Sequence, residues 1–187
     1  MPRDRFFKLR ANMKVVDDNS VAENEKENKF WKIQSLLNKI RTACLTYPRP
    51  SFVSIDEQMI PFHGHVSMKQ YIRRKPSPWG LKSFVMTTPN GIPLDFIMYA
   101  GKNSDFSSAL EAPPKMDIGG RVVLKLAESL LNSSSSIIMD RDFTSIPLLQ
   151  ILLIYNIKTT GTLMKSRHPR PISFISDGIE KSWTGQS

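Results

Sequence analysis

Apolar and polar positions alternate along this chain in blocks that predict a short series of helices and strands. Arg5 to Val16 mixes apolar and basic residues and reads as a short helix, followed by Asp17 to Lys29, a polar stretch with little to bury. From Phe30 to Thr46, Ile33, Leu36, Leu37, Ile40 and Ala43 or Cys44 recur at helical spacing, which predicts an amphipathic helix packed on the core through that stripe. Tyr47-Pro48-Arg49-Pro50 ends it, because proline breaks the hydrogen-bond ladder and biases its predecessor to extended backbone. Ser51 to Pro61 then reads as a strand; Leu81 to Thr88 and Ile92 to Ala100, joined by Pro89-Asn90-Gly91, read as a β-hairpin.

After a Ser- and Pro-containing loop, Val122, Val123, Leu126, Ala127 and Leu130 mark a helix over Arg121 to Leu131. Ile137-Ile138-Met139 is short and apolar, as a central buried strand would be. Thr144 or Ser145 caps a helix running to about Tyr155 with Pro147 in its first turn, and Lys158 to Met164 reads as a fifth strand. Three strands, helix, strand, helix, strand predicts an α/β fold: a meander continued by helical crossovers into a mixed sheet.

Composition narrows the functional classes. The 187 residues include 26 Lys and Arg against 17 Asp and Glu, a net charge of +9, which favours an anionic partner. Asp17 to Lys29 holds five of the acids and two lysines, so the basic charge is concentrated elsewhere. No run of about 18 apolar residues would span a bilayer, and the N-terminus does not lead into a signal-peptide core, so an intracellular protein without membrane contact is expected. Cys44 is the only cysteine, which excludes an internal disulfide and a multi-thiolate zinc site. His63 and His65 form His-Gly-His, a pair better read as turn residues than as metal ligands, and no Gly-rich phosphate loop occurs.

Two sets of residues remain as candidate chemistry. Asp56 and Asp140 come at or near the ends of apolar strands, where carboxylates converge at a cleft and suit a hard ion such as magnesium in phosphodiester chemistry. Spacing alone prefers the plainer account, that Asp56 ends a strand and Asp140 opens a turn. Lys69, Arg73, Arg74, Lys75 and Lys82 form an acid-free basic segment interleaved with Tyr71 and Trp79, suited to phosphates and unpaired bases, or equally to a solvated loop with a structural tryptophan. Lys165-Ser166-Arg167-His168-Pro169-Arg170 is a second, weaker basic cluster.

Three motifs in order decide between these readings: Ser54-Ile55-Asp56-Glu57-Gln58-Met59-Ile60-Pro61-Phe62, Lys75-Pro76-Ser77-Pro78-Trp79-Gly80-Leu81-Lys82 and Asp140-Arg141-Asp142-Phe143-Thr144-Ser145-Ile146-Pro147-Leu148. With Thr160-Gly161-Thr162 they resemble the piggyBac transposase family, over nearly the whole chain from Arg3-Asp4-Arg5-Phe6 to about Arg170. The resemblance implies an RNase H-like mixed sheet of strand order 3-2-1-4-5, counting the five predicted strands, incomplete on its C-terminal side. Residues 1–48 would be a helical segment with an acidic linker and 49–187 part of the catalytic domain.

Three aspartates hold Mg2+ or Mn2+ in that family, and Asp56 and Asp140 take the places of the first two. The implied reaction is hydrolytic nicking at a transposon end, attack of the freed 3′-hydroxyl on the opposite strand to give a hairpin, and insertion at TTAA. DNA as partner, a homodimer in full-length members and a nuclear location follow from the same resemblance. Two departures are visible: Arg141 stands where the family usually has Asn, and no segment matches the one bearing the third aspartate, Asp177 being too early. The expectation is a transposase-derived fragment that binds DNA and is inactive alone. The alternatives are one piece of a complete transposase, or a domesticated chromatin or protein-interaction module without catalysis.

Overall fold

A computed structural model describes residues 1–73, 75–101 and 104–167. Helix α1 (Arg3–Asn12) has no buried residue. Helix α2 (Gln34–Leu45) follows a single 3-10 turn at Trp31–Ile33. Strands β1 (Phe52–Pro61), β2 (Gln70–Tyr71), β3 (Trp79–Thr87) and β4 (Pro93–Met98) come next. Helix α3 (Ile118–Ala127), strand β5 (Ser136–Met139), helix α4 (Ile146–Ile154) and strand β6 (Thr159–Gly161) complete the order.

The strands form one mixed sheet. β3 lies antiparallel to β1, and its other edge carries both β2 and β4; β5 and β6 continue beyond β1 as parallel strands. The order β4-β3-β1-β5-β6 is the one expected of the five predicted strands. The hairpin turn forms where Asn-Gly chemistry places it: Gly91 adopts φ 81°, a value glycine takes without a Cβ penalty, and its N–H donates to the Thr88 carbonyl at 2.9 Å. A register shift between Met86 and Thr87 lets Leu94, fully buried, and Asp95 both turn from the solvent.

One face of the sheet carries the main core. Val53 and Ile55 of β1, Phe84 and Met86 of β3, and Ile137 and Met139 of β5 pack under Val122, Val123 and Leu126 of α3 and Leu148 and Leu152 of α4. Phe84 sits among Tyr99, Phe106 and Phe143, each edge-on at 6.0–6.1 Å, an arrangement that adds about 0.5–1.5 kcal/mol per pair beyond the area buried. Asp117 caps α3 by accepting from the Gly120 N–H at 2.9 Å. On the other face, Leu81 packs with Phe30 and Met68, with Leu37 of α2 against them.

Two expectations are corrected. The stripe Ile33, Leu36, Ile40 on α2 does not face the core, and all three are exposed. The helix starts only at Gln34 and is turned so that Leu37 and Arg41 meet the sheet, with Arg41 reaching Asp95 in β4. Nor is β5 buried on both faces: Ile138 is 45% exposed, on the face opposite α3 and α4.

Candidate acidic site and nucleic-acid interface

The parallel ladder between β1 and β5 places the two candidate aspartates side by side. Its last pairs are Ser54 with Ile138 and Ile55 with Met139, so Asp56 and Asp140 are the residues that directly follow the last pair, Asp56 within β1 and Asp140 just past the end of β5. Met139 is also paired with Gly161 of β6, which puts Thr162 next in the same row, and the Thr162 hydroxyl donates to Asp140 Oδ1 at 3.3 Å. Neighbouring strands lie about 4.8 Å apart, and residues level with one another point to the same face. Asp56, Asp140 and Thr162 therefore form a short row of hard oxygens at the C-terminal end of the parallel strands, where open α/β sheets carry their sites.

Asp56 is in mid-strand rather than at a strand end, because β1 runs on to Pro61 with β3 as its partner after the β5 ladder has stopped. Burial pushes the Asp56 carboxyl above the usual carboxylate range, against a 2.7 Å bond from the Glu57 N–H and the charge of Lys75, which both act to lower it. Asp140 accepts from the Arg141 N–H at 2.5 Å, so the residue at the variant position meets the carboxylate through its backbone. Gly161 lets β6 lie close: a Cβ there would meet the Thr144 hydroxyl and sit 2.9 Å from the Met139 carbonyl. Among the described residues no group of three or more His, Cys, Asp or Glu converges. Magnesium is commonly held by one or two carboxylates with waters and substrate phosphate oxygens completing its shell, so this donor set fits a divalent ion shared with a substrate.

Lys75 lies over this region. Its ammonium pairs with Glu57 Oε1 at 3.1 Å, and that bond, with the fields of Glu57, Asp56 and Asp140, raises its pKa against the effect of burial. Sequence reasoning placed Lys75 among the phosphate contacts and missed Glu57 as its partner. The other cations of that segment are distributed around it. Lys69 stands 5.6 Å over the Trp79 ring, Lys82 4.7 Å over the Phe84 ring, and Arg73 is exposed. Arg74 lies outside the described residues, as do His168 and Arg170 of the second cluster and Asp177.

In that second cluster Lys165 is exposed, but Arg167 is engaged by the fold. Its guanidinium pairs with Asp117 at 2.8 Å and donates to the Asp142 and Thr144 carbonyls at 3.0 and 3.1 Å, tying the segment after β6 to the starts of α3 and α4. A hollow of about 730 Å³ lined in part by Asn24, Arg41, Phe96 and Lys125 lies between α2 and β4, and neither aspartate lines it.

Comparisons with known proteins identify the family and the fold. The family model described as transposase IS4 matches residues 1–182. Human piggyBac transposable element-derived protein 3 is 31% identical over 91% of the chain and 28% of its own length; human piggyBac transposable element-derived protein 2 is 28% identical over 90% and 28%. The chain thus spans little more than a quarter of these curated relatives. A piggyBac transposase solved by cryo-EM in a synaptic complex with hairpin DNA superposes with a TM-score of 0.77 at 26% identity, over 91% of this chain and 35% of that one, so the mixed sheet is of the RNase H-like catalytic type. The chain belongs to the piggyBac-type branch of the transposase IS4 family.

Proposed function

We propose that this chain supplies the first two metal-holding carboxylates and part of the DNA-binding surface of a piggyBac-type transposase. The observation that carries the proposal is the end of the parallel ladder, where Asp56, Asp140 and Thr162 each directly follow the last paired residue of their segment and the Thr162 hydroxyl donates to Asp140. Asp56 and Asp140 would hold Mg2+ or Mn2+, which when bound supplies charge neutralisation at the attacking and leaving oxygens of a phosphodiester. Thr162 orients Asp140. Lys69, Arg73, Arg74 and Lys165 bring the backbone of DNA to the site, whereas Lys82 alternates to the opposite sheet face beside Phe84 and would meet DNA only away from the acids; a TTAA target, a nuclear location and a dimeric assembly belong to the same reading.

The Lys75–Glu57 pair favours a second reading, a DNA-binding module without chemistry, since a resident ammonium beside the acids competes with a metal for them. Mn2+ titration monitored by electron paramagnetic resonance separates the two. On the first reading the chain binds Mn2+, Asp56→Asn and Asp140→Asn each weaken binding, and a transposon-end duplex strengthens it. Mn2+ binding indifferent to both substitutions excludes the metal role and leaves the module.

A further inference from the structure

We infer that Trp79 and Tyr71 form a docking platform for an unpaired nucleobase, a site separate from the acidic row and resting on the DNA-binding reading above. The two side chains face each other across the β2–β3 pair, ring centroids 4.9 Å apart, and each is 56% exposed. A cross-strand aromatic pair that served only to hold this two-residue strand would be expected to share its outer faces with the fold. Here the neighbours are one lysine and a set of prolines with His63 and Ser77. Lys69 stands over Trp79 at 5.6 Å, and a hollow of about 440 Å³ opens beside it, lined by Pro61, His63, Lys69, Pro76 and Trp79. The next apolar cluster, around Leu81, is closed over by Phe30 and Met68 and leaves Trp79 out.

Charge complementarity selects the occupant. An aromatic face flanked by the Lys69 ammonium, beside a hollow whose lining holds no carboxylate, suits a base whose phosphate meets that cation, since every base offers a π-face and stacking is indifferent to sequence. The position suits the reaction as well. Val85 is level with Asp56, and Trp79, Leu81, Ser83 and Val85 alternate onto that same sheet face. Six residues of strand place the platform about 20 Å from the acidic row, roughly six steps along a nucleic-acid strand at 3.4 Å each. DNA engaged at Asp56 and Asp140 would thus have a base within reach of Trp79 about half a helical turn away, held if that base is unpaired.

The test uses the whole chain in metal-free buffer with two probes of equal length, a fully paired duplex and the same duplex with a central unpaired loop carrying 2-aminopurine. The looped probe should bind more tightly, with 2-aminopurine fluorescence quenched on binding. Trp79→Ala should weaken the looped complex roughly 5- to 150-fold, the range for loss of one stacked base, restore the fluorescence, and leave the paired duplex unaffected. Trp79→Phe, which keeps a ring in the same strand position, should retain both preference and quenching, and this guards against a Trp79→Ala chain that does not fold. Equal affinity of the native chain for both probes, or absence of quenching, overturns the platform while leaving duplex binding intact. Failure to bind either probe overturns the DNA-binding reading itself. Equal weakening of both probes by Trp79→Ala in a folded chain reassigns the pair to holding the strand, and no change with either probe frees the aromatic face for a protein partner.

Discussion

The ion pair between Lys75 and Glu57 gives a quantitative handle on which cations meet DNA. Each phosphate neutralised contributes about −0.9 to the slope of log affinity against log salt, so between 50 and 200 mM salt one contact changes affinity roughly 3.5-fold. Lys75 is held at 3.1 Å by a carboxylate whose side chain is only 14% exposed, and it feels the charges of Asp56 and Asp140 as well. Three carboxylates repel a phosphate, and without a divalent ion nothing offsets them. In metal-free buffer, Lys75 should therefore stay with Glu57. Fluorescence anisotropy on a paired duplex across a salt series should give the same slope for Lys75→Gln as for the native chain. Glu57→Gln releases the ammonium and should steepen the slope by about 0.9, whereas Arg73→Gln, which removes an exposed cation, should flatten it by about 0.9. A Lys75→Gln slope flattened by a full contact, with Glu57→Gln unchanged, would refute the reasoning by showing that Lys75 leaves its partner for the phosphate.

Two further predictions concern the scaffold. Arg41 donates to both oxygens of Asp95, at 2.6 and 3.0 Å, and Asp95 is 1% exposed, so Arg41→Ala strands a buried carboxylate. Because the guanidinium is itself more than a third exposed, the cost falls at the lower end for broken buried pairs, about 3 kcal/mol; urea denaturation showing less than about 1 kcal/mol would contradict it. For Glu128, burial acts to raise the pKa, but bonds from the Ala109 N–H at 2.6 Å, Ser108 and Lys125 outweigh it and the net shift is downward from 4.5. A lowered carboxyl stabilises the fold above its unfolded value, and the contribution is lost as pH falls through the folded value. Glu128→Gln should cost about 1 kcal/mol at neutral pH, the difference between charged and neutral acceptors, and the gap should close on acidification when melting is followed by circular dichroism.

The succession of strands and helices is legible in the chain because each apolar run is bounded by a signal with a local cause: the prolines after α2, the Asn90-Gly91 turn, the serines before β5; the order of those strands within the sheet is what the family resemblance implies and the ladders show. What depended on partners distant in the chain was less legible. Of the apolar stripe on α2, Leu37 meets the sheet while Ile33, Leu36 and Ile40 are exposed, and the position that joins Leu37 there is Arg41, off the stripe, which finds Asp95 54 positions away. β2 has two residues and no periodicity to display; it is a strand only through its pairing with the edge of β3. In the site, the aspartates were visible through their flanking motifs, while Glu57 as partner to Lys75 and the structural engagement of Arg167 required the fold to bring them together.

The convergence of Asp56 and Asp140 rests on register, and register rests on the buried face of the sheet. Val53 is level with Ile137 and Ile55 with Met139, and all four side chains are in the core. Shifting β5 by one residue against β1 would turn Ile137 and Met139 to the open face and drive Ser136 and Asp140 toward Leu148 and Leu152, because side chains in a strand alternate. The ends of the ladder oppose the same slip: the Ser135 hydroxyl donates to the Pro50 carbonyl at 2.5 Å and the Ser136 N–H to the Ser51 carbonyl at 2.8 Å. The acidic row is thus a consequence of where the apolar residues fall on two short strands. Two carboxylates distant in the chain are set side by side by the hydrophobic packing of the residues just before them.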